Sequence, residues 1–70
     1  MLTLKQWRRA RNITQEQMAE KLGVHINTYQ NWEKDPEKIS VSAAATIMTI
    51  LNVAPDDIRF EKEPGQEVMS

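Results

Sequence analysis

Apolar residues recur at helical spacing along most of this chain, and the runs are bounded by residues that start and stop helices. In TQEQMAEKLG, Met18, Ala19 and Leu22 fall on one face while Glu16, Gln17, Glu20 and Lys21 stay outside. Thr14 is a good N-cap, Gln17 completes the glutamine variant of the capping box, and Gly23 supplies a left-handed exit. Val24 plugs the corner before a further helix from about His25 to Lys34, with Tyr29 and Trp32 inward and His25 and Thr28 at their edge. Ahead of this pair, Thr3 caps a helix to about Arg11 that buries Leu4 and Trp7, with Arg8 a step beside them. Asn12 suits a left-handed end there, and Ile13 packs as a staple before Thr14.

Beyond Lys34, the stretch KDPEKIS breaks the periodicity and reads as a loop, because Pro36 cannot continue a helix. Ser40 caps a fourth helix from Val41 to about Leu51, with Ala44, Ile47, Met48 and Leu51 as its core stripe. Val41, Ala45 and Ile50 lie off that stripe, so Ile50 either meets a second subunit or is covered by the C-terminal segment. Pro55 followed by Asp56 and Asp57 predicts a short fifth helix, the carboxylates stabilising its dipole. Ile58 then reaches the core, and Phe60 either covers that core or joins a contact between chains. The expectation is an all-α domain of five short helices over residues 1–60, followed at 61–70 by an acidic, aperiodic and mobile tail.

Composition narrows the setting. Seventy residues allow one domain that buries only about 60% of its unfolded surface. The chain has no cysteine, no apolar run long enough to span a bilayer and no secretory pattern at its start. A soluble, cytoplasmic protein is therefore expected. The net charge of −1 argues against nucleic acid as a partner until it is divided along the chain. Residues 1–34 hold six basic side chains against three acidic ones, a net +3, whereas residues 35–70 hold three against seven, a net −4. A basic first half can meet DNA through one face, with modest nonspecific affinity.

The candidate chemistry lies on the third helix. Asn27, Gln30, Asn31 and Lys34 share its outward arc, with Ile26 beside it in the first turn. Solvated faces favour lysine and glutamate; amides carry a donor and an acceptor together and can pair with base edges in a major groove. Enzyme readings fare poorly, since His25 is the only histidine and no motif for a nucleotide or metal is present. No cofactor is expected.

TQEQMAEKLGV followed by a helix ending in Trp32-Glu33 resembles the helix-turn-helix of the Cro and phage-repressor family, and the likeness extends from Leu4 to Ile58. The resemblance implies a compact lambda-repressor-like domain that binds double-stranded DNA. It further implies a sequence-specific, nucleoid-associated regulator, a Cro-like repressor acting as a homodimer on a two-fold operator, with no membrane partner and no small-molecule ligand. Ile26, Asn27 and Asn31 match the family's main base-contacting positions, and Thr28 and Gln30 match flanking ones. Gln15, behind the cap Thr14, matches a glutamine that bonds a phosphate with help from the helix's free N–H groups. His25 begins the recognition helix close to the backbone, and Lys34 and Lys38 sit where relatives meet phosphates.

Arg8 and Glu33 match an arginine and a glutamate that form a partly buried ion pair, while Ile50 and Phe60 are the candidates for the dimer contact. Ile26 is a departure: relatives often place there a polar residue that cooperates with the glutamine at position 15, whereas an isoleucine suits a thymine methyl. The alternative is an antitoxin-like interaction module that uses the helical domain or the acidic tail to hold a protein partner.

Overall fold

A computed structural model describes residues 1–61, so the tail expected over 61–70 lies outside the described residues apart from Glu61. Helix α1 spans Leu4–Ala10, α2 Gln15–Leu22, α3 Ile26–Lys34 and α4 Val41–Leu51. Their starts follow the local chemistry. Thr3 and Thr14 each accept an N–H from the third helical residue, and the Gln6 and Gln17 side chains return the bond to the cap N–H at 2.9 Å. Ser40 Oγ accepts the Ala43 N–H at 3.1 Å. The exits are left-handed, with φ of 59° at Asn12, 71° at Gly23 and 59° at Asn52. At Gly23 that conformation costs least, since it has no Cβ to clash with the following carbonyl.

The expectation of five α-helices needs correction. Residues Pro55–Asp57 make only a single 3₁₀ turn, and Pro36–Lys38 makes another inside the stretch read as a loop. The turn at Pro55 closes on itself: Asp57 N–H donates to the Ala54 carbonyl at 2.9 Å while the Asp57 carboxylate accepts the Ala54 N–H at 3.2 Å. Ile58 then leaves in extended backbone, φ −133° and ψ 142°, and Ile58–Arg59 forms strand β2. It pairs in parallel with β1, Leu2–Thr3, Leu2 opposite Ile58 and Thr3 opposite Arg59. The described residues are therefore mostly helical rather than all-α. The physical reason is pairing: beside β1 the extended segment buries Ile58, leaves Arg59 exposed and half-buries Phe60.

The core comprises Leu4, Met18, Ala19, Tyr29, Ile47, Leu51 and Ile58, drawn from all four helices and β2. Trp7 on α1 and its C-cap residue Arg11 tie later segments of the chain to that helix. Trp7 Nε1 donates to the Asp57 carbonyl at 2.7 Å, and Arg11 Nε donates to the Leu51 carbonyl at 2.8 Å, capping the C-terminus of α4. The Arg11 guanidinium also lies 4.7 Å from the Trp7 ring centre, a cation–π contact. Burial decides what substitutions here do. Ile58 is 5% exposed and Val41 89% exposed. In urea titrations Ile58→Ala should lose about 2–5 kcal/mol of stability, the range for emptying a packed site, and Val41→Ala should stay within about 0.5 kcal/mol.

Candidate nucleic-acid interface

Helix α3 begins at Ile26 with His25 as its cap, and the imidazole Nδ1 accepts the Asn27 N–H at 3.1 Å. The accepting nitrogen fixes the tautomer and leaves Nε2 carrying the proton in the neutral ring. His25 is exposed. From that start, the helical step places Tyr29 fully inside and Trp32 half inside, while Asn27, Asn31 and Lys34 are exposed and Ile26, Thr28 and Gln30 are half-buried. Ile26 packs partly against the core, so only part of its side chain faces outward.

What sets the angle of this face is a carboxylate beneath it. Glu33 Oε2 receives Arg8 Nε at 2.6 Å and the Tyr29 hydroxyl at 2.5 Å, and Oε1 receives Gln15 Nε2 at 2.9 Å and Arg8 Nη2 at 3.5 Å. Those four donors match the roughly four lone-pair positions of a carboxylate. Arg8 is itself pinned from the other side, where Nη1 donates to the Ile13 carbonyl at 2.8 Å. The pair is buried, its side chains 9% and 4% exposed for Arg8 and Glu33. Burial by itself opposes ionisation of Glu33, but hydrogen bonds from Arg8, Tyr29 and Gln15, with the Arg8 charge, outweigh it and hold the pKa below its ordinary value of 4.5. Burial by itself lowers the Arg8 pKa, but Glu33 and Tyr29 together raise it further, so the net shift is upward. The Tyr29 hydroxyl is pushed up, first by burial and then by its bond to Glu33.

Gln15 is the hinge between this buried group and the surface. Its amide nitrogen donates to Glu33, and its oxygen accepts Gln30 Nε2 at 3.1 Å. Gln15 thus bonds across to α3 at Gln30, one turn beyond Ile26. Thr14 keeps its hydroxyl on the Gln17 N–H at 3.0 Å at the exposed start of α2. Thr28, Asn31, Lys34 and Lys38 line one shallow depression with Trp32 and Asp35. Lys38 Nζ lies 3.9 Å from Asp35, so its charge is partly answered within the loop.

The other sequence candidates separate. Phe60 lines an apolar groove with Pro36, Ile39, Val41 and Met48, whereas Ile50 lies outside it, and both are half-buried against the core. No group of three or more metal-ligating side chains occurs among the described residues.

A model of the helix-turn-helix family matches residues 4–58. The chain belongs to the Cro- and repressor-type helix-turn-helix family. Searches among curated proteins and among solved structures returned no match. As a helix-turn-helix protein of this type it is a DNA-binding regulator, of a family that is typically non-enzymatic. No helix among the described residues is long and apolar enough to cross a membrane.

Sequence reasoning missed three partners in this helix-turn-helix. Helical periodicity marks Tyr29 only as core, although Tyr29 and Glu33 stand four apart on one helix face, a spacing at which side chains meet. The capping by Arg11 and the Gln15–Gln30 bond carry no signal at any fixed spacing and depend on the tertiary arrangement.

Arg8→Ala should destabilise by about 3–5 kcal/mol, the cost of stranding a buried partner, against about 0–1 kcal/mol for the exposed Arg9→Ala; thermal melts of the two variants compare them. Folding lowers the Glu33 pKa, so the stability it contributes is fully present above pH 4.5 and is lost as pH falls through the lower folded value. Tyr29→Phe removes one donor from the ionised form and should move the acid-unfolding midpoint to higher pH, read by circular dichroism.

Proposed function

We propose that this chain is a Cro-like repressor that binds a two-fold operator as a homodimer, α3 entering the major groove of each half-site. The observation that carries the reading is the exposed amide face of Asn27 and Asn31 on a helix anchored from below by Glu33. Each amide suits adenine, whose N6 and N7 offer a donor and an acceptor side by side. Ile26 meets a thymine methyl with the part of its side chain left outside the core. Gln15, His25, Thr28, Lys34 and Lys38 hold the flanking phosphates, with Thr14 at the start of α2. The basic first half of the chain supplies the attraction.

The dimer brings together two copies of the C-terminal apolar surface. Support comes from Val41, exposed at the mouth of the groove that Phe60 lines. Ile50, already half-covered by its own chain, contributes at the margin. Two half-sites then lie about one helical turn apart, roughly 34 Å.

Selection from a random duplex library tests the reading, and recovery of no preferred site would end it. On the selected operator, sedimentation should find two chains. Asn27→Ala and Asn31→Ala should each relax preference at a distinct base pair by about 1–3 kcal/mol and leave the salt slope alone. Lys34→Ala should instead weaken all sequences alike and reduce that slope by about one.

A further inference from the structure

An amide can present either its oxygen or its nitrogen toward a base, and free rotation about its last bond ordinarily leaves the choice to the DNA. Gln30 does not have that freedom. The ionised Glu33 carboxylate accepts and cannot donate, so Gln15 must turn its nitrogen inward, at 2.9 Å. The Gln15 oxygen is thereby turned toward α3, where it can only accept. Gln30 must answer with its nitrogen, which it does at 3.1 Å. The Gln30 oxygen accepts nothing among the described residues and is not a buried orphan. One helical turn before it stands Ile26, and the next residue is Asn31, so Gln30 lies within the arc assigned to base reading.

We propose that Gln30 is a specificity-determining residue whose amide is aimed by the relay Glu33–Gln15–Gln30, so that its oxygen takes a base bearing an exocyclic amine. On the reading of α3 as the recognition helix, on which this rests, those bases are adenine, through N6, and cytosine, through N4. Guanine and thymine turn acceptors toward the same atom and are disfavoured. Gln15 is a positioning residue in this scheme: it fixes which atom of Gln30 faces the groove and need not touch that base.

The test measures relative affinity for all four base pairs at every operator position, by competition among duplexes, for the full chain and for Gln30→Ala, Gln15→Ala and the double variant. The unaltered protein is expected to show a base preference at one position that neither Asn27→Ala nor Asn31→Ala affects. Gln30→Ala should reduce that preference about fivefold or more, the low end for a base contact. Gln15→Ala should reduce the same preference, and the double variant should lose no more of it than Gln30→Ala alone. A role confined to stability or phosphate binding lowers affinity for every duplex equally and leaves the preference at that position unchanged. If Gln15→Ala does not fold, Gln15→Leu keeps the buried stem without the amide.

An intact preference in Gln30→Ala, or one that survives loss of the Gln15 amide, overturns the relay while leaving the recognition helix standing. Absence of binding by the unaltered protein to any duplex overturns both.

Discussion

A carboxylate taken out of water has to be answered by donors, and Glu33 is answered from three helices. Arg8 reaches it from α1, Gln15 from α2, and Tyr29 from its own helix one turn back. Leaving any of them out strands charge in a poorly solvated place, so the arrangement of α1, α2 and α3 is tied to this one group. Apolar packing brings the same helices together but tolerates sliding and rotation. The bidentate approach of an arginine to a carboxylate tolerates much less of either. An outward face on α3 is useful only if its angle is reproducible, and the ion pair lies directly under that face.

Much of this was legible in the chain because it is written locally. Thr14 with Gln17, Gly23, and Ser40 before an alanine-rich run each act on their own few residues, and α2 and α4 begin and end where those signals put them. The C-terminal end was less legible for a physical reason. Pro55-Asp56-Asp57 is a sound helix start, but it opens only one 3₁₀ turn, after which Ile58 pairs with the strand edge at Leu2–Thr3 from the opposite end of the sequence. A pairing partner so remote in sequence leaves no mark beyond the brief alternation of Ile58, Arg59 and Phe60. The candidate site divides in the same way. Helical geometry alone places Asn27 and Asn31 outside, whereas the bond between Gln15 and Gln30 exists only once α2 and α3 have met.

Ile26 and Gln30 divide the work on the side of α3 that faces α2. The isoleucine in the first turn packs partly against the core, and the Gln30 amide one turn later bonds to Gln15. The glutamine on α2 keeps both ends of its amide engaged, which leaves the geometry between the two helices as defined as a polar residue at position 26 would.

The parallel pairing of Leu2–Thr3 with Ile58–Arg59, together with the Trp7 and Arg11 bonds to Asp57 and Leu51, has a consequence for when the chain can fold. The first helix finds its partners among the last described residues, so closing the structure means closing a loop of nearly the whole domain. During synthesis, α2 and α3 can associate while Trp7 and Arg11 still lack their partners, and these contacts form only once residues 51–59 are available. A chain stalled short of that point holds a helix-turn-helix with no lid over its core.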